Sequence, residues 1–223
     1  MYFTMASGEA VDVPVSQLII AGWSGRDPAA IEEHIEELRA LGVTPPSQTP
    51  LFYRLSADRL TTATAIEVLG SGTSGEAEVV LVGSAQGTLV GIGSDHTDRD
   101  AETWSVVHSK QLCPKPVADT LWRLSDVLAH WDSLRLEASA VIAGERVSYQ
   151  AGTIDGLLPP AVLLEKLGHG NSELQPGHVM FCGTLPVIGG IRPATRFEAA
   201  LVDPVLGRRI EHAYDIHELP VVN

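Results

Sequence analysis

The sequence predicts a β-rich α+β fold with a few short helices. Two observations carry this. Short apolar runs bounded by turn residues recur near 76–92, 134–150, 178–183, 195–203 and 209–216, whereas helical periodicity is confined to brief stretches. Strands also fail to alternate regularly with helices, as a doubly wound sheet would require. The 21 glycines and 14 prolines are spread along 223 residues and supply many turns.

Residues 11–22 read as extended, ending in a buried strand. A helix is predicted over 27–41, with Asp27 as N-cap, Pro28 at the first helical position and Gly42 as the stop. Ile31, Ile35 and Leu38 share one face of it. A Pro-rich loop leads to a short strand, Leu51-Phe52-Tyr53-Arg54-Leu55. Residues 76–92 read as a hairpin turning near Ala85–Gly87, and 116–131 as a second helix. A further hairpin over 134–150 turns at Ala143-Gly144-Glu145. Residues 159–167 form a short helix stopped by Gly168, and three closing strands follow.

The 15 Lys and Arg against 28 Asp and Glu leave a formal charge of −13, which repels phosphate backbones and anionic membrane surfaces. Nucleic acid and membrane are therefore not expected as partners. Two cysteines, Cys113 and Cys182, are too few for a disulfide scaffold and read as small buried residues. The N-terminal residues read as lacking a signal peptide, and no run reaches the ~18 apolar residues of a membrane helix. A cytoplasmic location is expected. With no repeat and no linker, one domain with a small N-terminal cap is favoured.

Glu76 and Glu78 stand two apart on a strand and so share a face. If the hairpin arms pair, Asp95 returns beside them as a third carboxylate. Three oxygen ligands with open positions suit Mg²⁺ or Mn²⁺. On spacing alone a solvated strand end is the commoner outcome. His34 lies in the apolar stripe of the first helix with Glu37 three residues on, a pairing in which a carboxylate orients a general base. Alone, that spacing is unspecific. The Gly183-Thr184 turn after a buried strand offers N–H groups and a hydroxyl to an anion, although a plain turn has the same spelling. His96 and His178 fall inside these segments and count as candidates to line a site. Trp23, Trp104, Trp122 and Trp131 read as core or interface anchors.

Taken in order, these pieces resemble the fumarylacetoacetate hydrolase (FAH) superfamily. His34-Ile35-Glu36-Glu37 followed by Pro50-Leu51-Phe52-Tyr53-Arg54 is similar to its H-x-x-E helix and P-x-F-x-K strand. Glu76-Ala77-Glu78 is similar to its E-x-E, and Asp95 to Asp100 to its D-x-x-x-R-D. Ser109-Lys110 leading to Cys113-Pro114, the Gly144-Glu145 hairpin with Gly152-Thr153, and Pro176-Gly177 through Gly183-Thr184 and Pro186 complete the series. The spelling, with its run from Ser94 to Asp100 and its Cys113-Pro114-Lys115-Pro116, is similar to the DUF2848 branch.

That resemblance implies a single catalytic domain over 1–223 built on a rolled mixed β-sheet, with residues 1–60 forming an N-terminal strand and a helical lid. It implies a homodimer holding Mg²⁺ or Mn²⁺ on Glu76, Glu78 and Asp95. It makes His34, Glu37 and Lys110 catalytic, and Arg54, Arg99 and Thr184 contacts for a small carboxylic acid substrate. The implied reaction acts on a 2-oxo or 1,3-dicarbonyl acid through a metal-stabilised enolate, with hydrolytic C–C cleavage first. A decarboxylase, isomerase or dehydratase, or a non-catalytic metal-binding homologue, are the alternatives. Arg54 replaces the superfamily's Lys, Lys115 competes with Lys110 for its role, and Leu185 is inserted before Pro186.

Overall fold

The computed structural model describes residues 1–40, 45–168 and 173–222, and within the first helix it leaves out the side chains of His34, Glu37, Leu38 and Ala40. The predicted helix stop at Gly42 lies outside the described residues. In chain order the main elements are β1 (Tyr2–Met5), β2 (Ala10–Asp12), β3 (Gln17–Gly22), α1 (Pro28–Ala40), β4 (Leu51–Leu55), β5 (Leu60–Thr61), β6 (Ala65–Leu69), β7 (Thr73–Ser74), β8 (Ala77–Ser84) and β9 (Gly87–Ser94). They continue with β10 (Thr97–Asp98), α2 (Arg99–Glu102), α3 (Val106–Leu112), β11 (Lys115–Pro116), β12 (Thr120–Arg123), β13 (Arg135–Ile142), β14 (Glu145–Thr153), α4 (Pro160–Lys166), β15 (His178–Thr184), β16 (Arg196–Asp203) and β17 (Arg208–Leu219).

An eight-stranded sheet runs β2-β1-β12-β9-β8-β15-β3-β4, and a five-stranded sheet runs β14-β13-β16-β17-β6. Both are mixed: β1 with β12, β15 with β3 and β17 with β6 are parallel, and their other pairs are antiparallel. One face of the large sheet, with Ile19, Val79, Leu81 and Met180, packs on Leu136, Phe197 and Leu201 of the small one. The other face carries Leu18, Val80 and Phe181, and the sheet rolls so that Phe3, Met5 and Leu121 from its far strands join that second cluster. Strand β8 is buried along its whole length, which is why its central residues 79–82 are all apolar without alternation.

The helix predicted over 116–131 is not there. Thr120–Arg123 is a strand paired to β1 and β9, followed by 3₁₀ turns at Leu124–Asp126 and Leu128–Ser133. Leu121, Leu124 and Leu128 imitate a helical stripe, but Leu121 enters one core and Trp122 the other, as successive strand residues do. The hairpins, the α4 helix and the closing strands match their predictions. Strands β1 and β6 and helices α2 and α3 are additions to the sequence reading. Among the described residues no helix is long and apolar enough to cross a membrane.

Candidate functional site

The β8–β9 hairpin aligns Ala77 with Ser94 and Glu78 with Gly93. The Asp95 amide extends the ladder one step, donating to Glu76 O at 2.9 Å. That register brings Glu76, Glu78 and Asp95 to one end of the hairpin, with ligand oxygens all within 4.8 Å of one another. Glu78 and Asp95 are buried, and Glu76 is half-buried.

Each carboxylate is held differently. Glu78 Oε2 accepts a 2.7 Å hydrogen bond from the Gly183 amide. Strand β15 is irregular there, between Phe181 and Thr184, and Gly183 adopts φ +103°. A side chain at Gly183 would place a Cβ 1.9 Å from Ser24 Oγ, so the sequence needs glycine at this position. Glu76 Oε1 lies 3.0 Å from Arg99 Nη2, while Arg99 also donates to Glu102 Oε2 at 2.8 Å and to Ser74 Oγ at 2.7 Å. Asp95 is gripped by two buried lysines: Lys110 Nζ donates to Oδ2, and Lys115 Nζ lies 3.0 Å from Oδ1. The Lys110 ammonium is also 3.6 Å from Glu76 Oε2. Both candidate lysines therefore face the same carboxylate.

Behind this cluster His96 is fully buried, with Nδ1 2.9 Å from Tyr214 Oη and Nε2 2.9 Å from Thr73 Oγ1. Tyr214 donates to Ser94 Oγ at 2.8 Å, which in turn accepts from the Glu76 amide at 3.2 Å. The chain from Thr73 to Glu76 thus fixes the first carboxylate's backbone. Burial, with Lys115 and Arg99 nearby, depresses the His96 imidazole to about 3 and keeps it neutral.

The electrostatics are polarised. Burial pushes the Glu78 carboxyl well above its usual range, and the Asp95 and Glu76 charges push it further. Burial also acts to raise Asp95, but Lys110 and Lys115 outweigh it and hold that carboxyl at about 2. Burial opposes the charge on Lys110, yet Asp95, Glu76 and Glu78 hold its ammonium above the ordinary lysine range. A divalent cation fits this donor set. Ligand oxygens of the three carboxylates already lie within 4.8 Å of one another, and Glu78 is ionised only at a cost that added positive charge would remove. An all-oxygen carboxylate set is the chemistry Mg²⁺ and Mn²⁺ accept.

The other predicted residues are distributed less simply. Arg99 sits in the cluster, with its guanidinium shared between Glu76 and Glu102. Thr184 borders the cluster, but its hydroxyl hydrogen goes to Ala77 O at 2.8 Å and Gln150 Nε2 donates to it at 2.7 Å, leaving no donor for a ligand. Arg54 is not brought to the site: it pairs in register with Ile19, is exposed, and donates to Gln17 Oε1. Its neighbour Tyr53 takes the other face, where its hydroxyl accepts from Trp23 Nε1 at 3.3 Å and feels the charges of Lys110, Glu102 and Asp95. His34 and Glu37 lie on α1, which follows the site-bearing end of β3, but their side chains are outside the described residues. His178 starts β15, six residues from Thr184 and so about 20 Å along the strand from the carboxylates. Both cysteines and Trp122 and Trp131 are buried, whereas Trp104 is 65% exposed.

Gln150 and Tyr53 were missed by sequence reasoning. Gln150 is fully buried and accepts from the Ala77 amide at 2.9 Å. A lone Gln or Tyr in a strand has no spacing signature; strand alternation, Tyr53 against Arg54, was the one usable clue.

Residues 21–214 match the family described as a protein of unknown function, DUF2848. The chain belongs to this family. No curated protein matches it significantly. Its fold is that of FAH-like proteins. A structure from Yersinia pestis CO92, named as a fumarylacetoacetate hydrolase family protein, superposes with a TM-score of 0.67 at 16% identity, covering 96% of this chain and 100% of that one. One from Burkholderia cenocepacia, named as a fumarylpyruvate hydrolase, gives 0.66 at 18% identity, covering 98% and 92%. A 2-keto-3-deoxyarabinonate dehydratase gives 0.61 at 16% identity, covering 93% and 75%. At these identities the likeness of this DUF2848 chain to them is one of fold.

Proposed function

We propose that this DUF2848 protein is a divalent-metal-dependent enzyme acting on a small 2-oxo or 1,3-dicarbonyl carboxylic acid, with hydrolytic C–C bond cleavage as its reaction. One observation carries the reading: Glu76, Glu78 and Asp95 converge within 4.8 Å beside a buried lysine. In this reading Glu76, Glu78 and Asp95 hold Mg²⁺ or Mn²⁺. The cation, when bound, supplies Lewis-acid stabilisation of negative charge developing on the substrate's oxo oxygen. Lys110 stands beside that charge with its proton in place. His34, oriented by Glu37, takes the proton from the attacking water, and α1 serves as the lid that excludes bulk solvent. Preorganised charge of this kind is worth about 3–4 kcal/mol per donor in other enzymes.

A dehydratase among the structural neighbours supports a second reading, in which the same residues serve a dehydration, decarboxylation or isomerisation of a 2-oxo acid. We also propose a single catalytic domain, a homodimer and a cytoplasmic setting, on the strength of the fold likeness and the absence of any expected nucleic-acid or membrane partner.

The test is calorimetry with Mg²⁺ and Mn²⁺, with and without oxalate, on the wild type and Glu76→Ala, followed by turnover assays on acylpyruvates and other 2-oxo acids. Saturable binding at one site per chain, lost in the variant, is the expected result. No binding by the wild type even with oxalate overturns the reading and leaves a non-catalytic homologue.

A further inference from the structure

We infer that Lys110 is a built-in stand-in for the metal: its ammonium occupies the cation seat between the carboxylates in the metal-free protein, and a divalent ion must displace it. This rests on the metal reading above and concerns what the chain does when no metal is bound.

The three cations at the cluster are not equivalent. Arg99 is anchored on Ser74 and Glu102 as well as on Glu76. Lys115 is anchored on the His96 carbonyl as well as on Asp95. Lys110, among the described residues, has only the ligand carboxylates: Asp95 Oδ2 and, at 3.6 Å, Glu76 Oε2. Its Nζ therefore lies between oxygens that belong to two different members of a triad spanning no more than 4.8 Å. An ion bonding to both oxygens at metal–ligand distances of about 2.0–2.5 Å would fall in the same space, where a second positive charge is repelled. One of the two must leave.

Lys110 is also the member able to leave. Its ammonium ends a flexible four-carbon stem, and among the described residues no backbone acceptor fixes its tip. The burial matters too. Glu78 is 3% exposed and Asp95 0%, so a vacated cluster would hold three acids with little water to screen them. The internal ammonium keeps the metal-free fold intact, and metal affinity is lower for the competition.

The measurement is Mn²⁺ calorimetry and thermal melting, in EDTA and in saturating Mn²⁺, on the wild type and Lys110→Met. In EDTA the variant should melt several degrees below the wild type, and Mn²⁺ should restore it. Its Mn²⁺ dissociation constant should be smaller by about tenfold or more, within the usual range of coupling between competing ligands. A variant that binds Mn²⁺ as the wild type does, or more weakly, overturns the inference while leaving the metal reading standing. Absence of Mn²⁺ binding in both proteins overturns the metal reading and the inference with it. Lys110→Gln, which keeps an uncharged donor, carries the same comparison should Lys110→Met fail to fold even with Mn²⁺.

Discussion

The Gly183 amide and the Glu78 carboxylate lie 105 residues apart in the chain and meet in a 2.7 Å hydrogen bond. The bond exists because β15 breaks its ladder beside β8, turning a backbone donor toward a buried acid. Gly183→Ala should break both the turn and the bond, since the new methyl would sit 1.9 Å from Ser24 Oγ in a left-handed conformation. The expected cost is about 2 kcal/mol or more in urea melts, with weaker Mn²⁺ binding by calorimetry. Unchanged stability would show that the strand relaxes around the methyl.

Glu78→Gln should separate folding from metal binding. The carboxyl of Glu78 is raised by burial and by its acidic neighbours, so its ionised form costs stability at neutral pH. In EDTA the amide should be neutral to about 1–2 kcal/mol stabilising, while Mn²⁺ binding is lost. A metal-free variant that melts markedly lower would mean that Glu78 contributes as an anion without the metal.

His96 sets a pH dependence. Its folded-state value of about 3 is below the unfolded value of about 6.5, so the native imidazole stays neutral while the unfolded chain takes up a proton. Its contribution is present above pH 6.5 and is lost as pH falls from there toward 3, at about 1.4 kcal/mol per unit. Denaturant melts of the metal-free protein between pH 7 and 5 should show this fall, and His96→Gln should flatten it. A slope unaltered by the substitution would assign the effect to other groups.

Two arginines that the resemblance treats alike should behave differently. Arg99 is half-buried between Glu76 and Glu102, and Arg99→Ala removes the guanidinium the two acids share, leaving Glu76 only its longer contact to Lys110, a loss of about 2 kcal/mol. Arg54 is exposed and bonded to Gln17, and Arg54→Ala should change stability by less than about 0.5 kcal/mol and leave Mn²⁺–oxalate affinity unchanged. Weakened oxalate binding in Arg54→Ala would restore its place in the substrate site.

Much of the site was legible because it is local. Glu76 and Glu78 share a strand face by alternation, and the short turn at Ala85–Gly87 dictates that Asp95 returns beside them. Lys110 was legible only through the resemblance, and the choice between it and Lys115 was undecidable in one dimension, since both converge on Asp95. Residues 116–131 misled for a related reason. An i, i+3, i+7 stripe of leucines also arises when a strand between two cores runs into 3₁₀ turns, and only the partners on each side tell the two apart.

The sequence by itself determined the β-rich class, the main hairpins and the gathering of three carboxylates, because hydrophobic period, turn chemistry and strand alternation act over a few residues. Tertiary structure alone decided how those carboxylates are charged. Lys110, Lys115, Arg99 and the Gly183 amide reach them from separate elements of a rolled sheet. In that water-poor setting two carboxylates of one cluster are pushed in opposite directions, Glu78 up by burial and its acidic neighbours, Asp95 down by the two lysines the fold places against it.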